Sequence, residues 1–182
     1  ITIIENSAFK KCSSISSIDL PNSVKKIGDS SFNGCSSLTT ITIPDSVTRI
    51  GEFAFYDCPT LTTVSLPQGI EDIDWAAFSG ETSLDTIYCY RPTPLPLRSY
   101  PGTVFSHYDA ILFVPCEALS LYQSDKEWGK FTNIQCLPTE DLIPTNQIQY
   151  TTWDDEIVRI DTTYHIDYNY GVVNYYSMFG AN

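Results

Sequence analysis

Leu38-Thr-Thr-Ile41-Thr-Ile43-Pro44-Asp-Ser-Val47-Thr-Arg-Ile50-Gly51-Glu-Phe53-Ala54-Phe55-Tyr-Asp-Cys58 is one copy of a unit that recurs along the first half of the chain. Shifted by 23 residues in either direction it aligns without a gap. Ile1, Val24, Val47 and Ile70 share a column, as do Ile4, Ile27, Ile50 and Ile73, and then Phe9, Phe32, Phe55 and Phe78. Ile15, Leu38, Leu61 and Leu84 form another, followed by Ile18, Ile41, Val64 and Ile87, while Pro21, Pro44 and Pro67 mark one corner. A fixed period of this length makes each unit a coil that cannot bury its own apolar edge and must stack on its neighbours, the signature of a solenoid.

Within the quoted coil, Leu38, Ile41 and Ile43 are predicted to point inward from a short strand and Thr40 and Thr42 outward. Pro44 stops that strand because it has no N–H to donate. Val47 to Ile50 reads as a second extended piece on the opposite side, and Gly51 lets the backbone turn into a short helical turn that seats Phe55 in the core. Ser31, Ala54 and Ala77 keep the position before the aromatic column small, so that column can close up. Neighbouring coils should lie about 5 Å apart, which turns every column into a ladder.

Bulk properties restrict the function classes. The chain has 182 residues, 42% of them hydrophobic, and a formal net charge of −12, a composition for a folded core and a surface that repels phosphate backbones; nucleic acid is not an expected partner. No apolar run reaches the length of a transmembrane segment, and the first residues lack a charged region followed by an apolar one. Residue 1 is Ile and enters the pattern mid-repeat, so the chain reads as a mature or excised fragment. Cys12, Cys35 and Cys58 belong to the repeat and read as stacked buried thiols. Cys89, Cys116 and Cys136 lie outside it, and two of them can pair if the protein is exported, with the pairing left open. No C-x-x-C occurs and His107 and His165 are isolated, so no metal site is expected.

The pattern resembles the BspA-like leucine-rich repeats of surface proteins from anaerobic gut and oral bacteria and some mucosal protists. The resemblance rests on Asn22-Ser-Val24-Lys-Lys-Ile27-Gly28, Asp45-Ser-Val47-Thr-Arg-Ile50-Gly51, Ala54-Phe55-Tyr-Asp-Cys58 and Leu61-Thr-Thr-Val64-Ser-Leu66-Pro67. Ser23, Ser46 and Gly69 stand where a conventional leucine-rich repeat carries its buried Asn ladder. The implied fold class is an α/β-type, β-rich leucine-rich repeat solenoid, with parallel strands, short helical turns, a C-terminal cap and a small β tail. Residues 1–88 are read as about four coils, the first partial, and 89–137 as the cap, which has a strand ending at Val114-Pro115 and a helical-looking run from Glu117 to Phe131. Tyr122, Trp128, Phe131 and Ile134 are placed to pack on the last coil, since an array end left bare would expose strand edges. Residues 138–148 read as a linker and 149–182 as a small β segment, the possible start of a further module.

No nucleophile elbow, P-loop, H-E-x-x-H or dinucleotide fingerprint is present, so neither an enzyme nor a cofactor is expected. Asp154-Asp155-Glu156 with Asp161 lacks the spacing and glycine of an EF-hand loop and reads as a solvated acidic turn rather than an ion site. The tail aromatics Tyr150, Trp153, Tyr164, Tyr168, Tyr170, Tyr175 and Tyr176 form either a core face or a glycan platform. The candidate ligand-binding surface is the sheet face of the solenoid, with two outward columns: Ser17, Thr40, Thr63 and Thr86, then Asp19, Thr42, Ser65 and Tyr88. On the opposite side Lys26, Arg49 and Asp72 share a column in which Arg49 and Asp72 can pair. By resemblance, the function is a secreted or cell-surface adhesion module for extracellular proteins or cell-surface macromolecules. The alternatives are a structural spacer of a larger surface protein and a glycan-binding tail.

Overall fold

The second, third and fourth coils each make two short strands and one turn edge, and each of the three becomes a ladder. The structure is a computed structural model that describes residues 1–80, 83–97 and 103–138, all within one compact unit, Ile1–Glu140. One sheet has four strands, β1 (Ile3–Ile4), β2 (Lys26–Ile27), β4 (Arg49–Ile50) and β6 (Asp72–Ile73), adjacent in that order. The other holds β3 (Thr40–Thr42), β5 (Thr63–Leu66), β7 (Thr86–Cys89), β8 (Ile111–Val114) and β9 (Asn133–Cys136). All pairs are parallel, and among the coils the register equals the sequence period: Ile27 faces Ile50 and Ile50 faces Ile73, while Ile41 faces Val64 and Val64 faces Ile87.

The core lies between the ladders. Leu38 and Phe55 are fully buried and Ile41 and Ile43 nearly so, whereas Thr40 and Thr42 face solvent. The Phe column stacks as the period predicts, with ring centroids 5.1 Å apart for Phe9–Phe32 and Phe32–Phe55, and 5.2 Å for Phe55–Phe78. Ser31, Ala54 and Ala77 are fully buried beneath it. Of the Cys column, Cys35 and Cys58 are buried, with Cys35 Sγ donating to Phe9 O at 3.1 Å and Cys58 Sγ to Phe32 O at 3.2 Å, whereas Cys12, expected to be buried with them, is only partly so because it belongs to the first coil.

The seat of Phe55 is built differently from the expected helical turn. Residues 52–57 form successive hydrogen-bonded turns in which the N–H groups alternate between their own coil and the next. Phe53 N, Phe55 N and Asp57 N donate to Trp75 O, Ala77 O and Ser79 O of the following coil, while Ala54 N and Tyr56 N donate back to Gly51 O and Phe53 O. This alternation requires left-handed backbone at two columns, Ser7, Ser30, Phe53 and Ala76, and then Lys11, Gly34, Asp57 and Gly80. Gly51 is not among them. Its role is close approach, because a Cβ there would lie 2.8 Å from Asp29 N of the preceding coil. The missing Asn ladder has a partial substitute: Ser23 Oγ donates to Ile1 O at 2.7 Å and Ser46 Oγ to Val24 O at 2.6 Å, each joining its coil to the one before, while Gly69 ends the series.

Residues 89–137, expected to cover the end of the array, first add two more rungs, β8 and β9. Phe105 continues the aromatic ladder, 5.5 Å from Phe78, and then meets Trp128 and Phe131. The run expected to be helical is broken into a 3-10 turn (Cys116–Ala118), α1 (Leu119–Ser124) and a second 3-10 turn (Trp128–Lys130). Asp125 makes the break, with an extended backbone and Oδ1 accepting from Glu127 N and Trp128 N at 2.9 Å each. Tyr122 and Trp128 are fully buried, Phe131 nearly so and Ile134 partly. Tyr122 Oη donates to the irregular segment before β8, toward Arg91 O and Thr93 O, and Trp128 Nε1 donates to Leu95 O.

The open cysteine pairing is resolved: Cys116 and Cys136 form a disulfide with Cα atoms 4.6 Å apart. Cys89 stays a thiol, fully buried, with Sγ 3.3 Å from Tyr122 Oη. Burial pushes both the Cys89 thiol and the Tyr122 phenol well above their ordinary pKa values. The tail readings, namely the linker, the β segment, its aromatics and the acidic cluster, lie outside the described residues.

Candidate functional site: the outward face of the five-stranded sheet

Six of the eight proposed residues are brought together. Thr40, Thr63 and Thr86 occupy one row across β3, β5 and β7, and Thr42, Ser65 and Tyr88 the next. Thr40 and Thr42 are exposed and the other four half-buried. Alternation decides this, because each faces away from a neighbour such as Ile41, Val64 or Ile87 that is at most 2% exposed. Ser17 and Asp19 are exposed but precede the first strand of this sheet and lie in no named strand. Their coil stays attached through Thr39, whose N and Oγ1 both reach Ser16 O, at 3.0 and 3.2 Å.

The rows run further than the repeat indicated. Thr86 faces Ile111 and Ile111 faces Asn133, while Tyr88 faces Phe113 and Phe113 faces Gln135. Tyr88 and Phe113 stack with centroids 5.2 Å apart and an interplanar angle of 12°. The face therefore grades from hydroxyls at the N-terminal coils to aromatic and amide groups at the C-terminal rungs. Sequence reasoning missed these last rows because the spacing from Thr86 to Ile111 and on to Asn133 departs from the period. The inward-outward alternation of Ile111-Leu-Phe-Val114 was the available signal. Tyr90 adds a phenol beside Ser65; burial raises its pKa and the hydrogen bond to Ser65 opposes that rise, so the group is neutral at ordinary pH.

These groups donate and accept hydrogen bonds and offer ring edges. Among the described residues no cluster of His, Cys, Asp or Glu is able to hold a metal ion. His107 is exposed, with Nδ1 3.0 Å from Ser106 Oγ. On the four-stranded sheet Lys26, Arg49 and Asp72 align as expected and Arg49 Nε lies 3.4 Å from Asp72. Asp74, missed from sequence, is the shorter partner, with Arg49 Nη2 at 2.9 Å and the carboxylate nearly buried. No helix among the described residues is long and apolar enough to cross a membrane.

The model of the BspA-type leucine-rich repeat region matches residues 2–113, with six copies. No curated protein matches the chain. Similar solved structures include a leucine-rich repeat protein from Bacteroides ovatus, 32% identical, covering 49% of this chain and 23% of that one, with a TM-score of 0.48. Another is the leucine-rich repeat protein of T. pallidum, 28% identical over 71% of this chain and 56% of the other, with a TM-score of 0.49. A leucine-rich cell surface protein from Faecalibacterium prausnitzii is 25% identical over 63% of this chain and 39% of its own, with a TM-score of 0.47. The chain thus spans less than two thirds of each of these proteins. Repeats of this kind are typically non-enzymatic and support a general protein-interaction role. With six repeat copies over most of its described length and the parallel ladders they predict, the chain belongs to the BspA-type leucine-rich repeat family.

Proposed function

We propose that the chain is a secreted or cell-surface interaction module, and that it binds extracellular proteins or cell-surface macromolecules through the outward face of the five-stranded sheet. One observation carries this reading. Thr40, Thr42, Thr63, Ser65, Thr86 and Tyr88 stand in two unbroken rows on a parallel sheet, and Ser17 and Asp19 are exposed on the coil that precedes it. Rigid hydroxyl and aromatic side chains lose little conformational freedom on binding, which favours such a face as a contact surface. An extracellular location is supported by the Cys116–Cys136 disulfide, since such bonds persist in oxidising compartments.

The test is binding of the full chain to immobilised matrix proteins and mucins, beside a Thr42→Lys/Ser65→Lys variant. Thr42 is exposed and Ser65 half-buried, both facing outward, so the face gains two charges, and a thermal melt checks that the variant keeps its fold. Binding that is lost in the variant supports the face. Equal binding moves the site elsewhere, and no binding by either form favours the spacer reading.

A further inference from the structure

Within a repeat array, residues that break their own column at the surface ask for a reason. On the turn edge the column Asn6, Asp29, Glu52 ends in Trp75. The left-handed column Ser7, Ser30 and Ala76 contains Phe53, and Tyr56 stands where the preceding coil has Asn33. The three aromatics meet: Phe53 packs edge-on with Trp75 at 4.6 Å and with Tyr56 at 5.2 Å between centroids. Tyr56 is 37% exposed and Phe53 and Trp75 are half-buried. Phe53 holds φ at 53°, a conformation that a bulky side chain rarely adopts and that its column otherwise fills with Ser or Ala.

The rim decides the ligand. Glu52 precedes Phe53 and Asp57 follows Tyr56 in the chain, both are exposed, and neither forms an ion pair among the described residues. The turn-edge cations Lys10 and Lys11 stand two coils away, about 10 Å at strand spacing. Aromatic rings beside unpaired carboxylates favour a cation, above all a guanidinium that can lie on a ring and bond a carboxylate at once. We propose that Phe53, Tyr56 and Trp75, with Glu52 and Asp57, form a second docking site for an extended polypeptide segment bearing Arg or Lys side chains. It lies on the turn edge and is independent of the sheet-face reading.

The test titrates the full chain with a short Arg-rich peptide, a neutral Gly-Ser peptide and neutral oligosaccharides, following tryptophan fluorescence and calorimetry. The triple variant F53S/Y56N/W75N restores the residues the array itself uses at positions 7, 30, 33 and 6, so the fold is kept, which a thermal melt verifies. E52Q/D57N removes the rim charge alone. The expected result is saturable, salt-sensitive binding of the Arg peptide only, weakened about tenfold or more by either variant. No saturable binding, or unchanged affinity in the triple variant, overturns the site. Binding of oligosaccharide instead of peptide, lost in the triple variant, overturns the cationic partner.

Discussion

Phe55→Ala tests whether the aromatic column is the structural spine. Phe55 is fully buried, with Phe32 stacked at 5.1 Å on one side and Phe78 at 5.2 Å on the other. Removing the ring forfeits about 1.5–3 kcal/mol of side-chain burial. Two aromatic contacts go with it, each worth about 0.5–1.5 kcal/mol. Parallel ladders on both sides hold the coils at fixed spacing, so the cavity collapses only in part and the total falls within the usual range of about 3–5 kcal/mol. Phe9→Ala supplies the internal control. Phe9 has a ring on one side only and remains partly exposed, so its loss should cost about 1–2 kcal/mol. Urea unfolding followed by circular dichroism reads both, with the slope checked because repeat arrays can lose two-state behaviour. A cost for Phe55→Ala below about 1 kcal/mol, or equal costs at the two positions, refutes the reasoning.

Ser31 Oγ is buried without a hydrogen-bond partner among the described residues, and the same column carries Ala54 and Ala77. Ser31→Ala should therefore stabilise the fold by about 1 kcal/mol, read as a higher urea midpoint with an unchanged slope. The Cys116–Cys136 bond closes a loop with a sequence separation of 20. A Cys116→Ser/Cys136→Ser variant should lose about 3 kcal/mol, with amide exchange rising first in β9 because that strand pairs with only β8 among the described strands. Alkaline pH should also destabilise the protein. The ordinary values of Cys89 and Tyr122, 9.0 and 10.0, are raised by burial in the folded state, so the unfolded chain loses those protons first. Their contribution is fully present below pH 9 and is lost as the pH rises above it. Melts across that range check the decline. Tyr122→Phe should flatten it while lowering stability at neutral pH, because the hydrogen bonds to Arg91 O and Thr93 O are lost.

The solenoid was legible from the chain because stacking imposes one constraint on every coil. A column that must be apolar in one coil must be apolar in the next, so Ile27, Ile50 and Ile73, or Phe32, Phe55 and Phe78, announce their ladders at constant spacing. Alternation within Leu38 to Ile43 then assigned the outward residues, and the hydroxyl rows of the candidate face followed directly. That reasoning ended where the spacing changed. Phe105 and Phe113 continue two ladders, but insertions after the fourth coil shift them off the period, and only hydrogen bonding restores their register, Phe105 through its bridge to Phe78 and Phe113 through β7.

The remaining features depend on groups that meet across coils. Asp74 outcompetes Asp72 for Arg49 because it is closer in space, although Asp72 shares the column. Cys116 pairs with Cys136 rather than Cys89 because β9 lies beside β8, whereas Cys89 points into the core against Tyr122. The left-handed turns set Phe53, Tyr56 and Trp75 side by side though they come from two coils. Sequence by itself determined the coil, its period and its inward and outward faces, since these follow from a local repeat of polarity. Tertiary structure alone decided the partners, because the distance between side chains in different coils is set by the stacking and by the insertions that interrupt it.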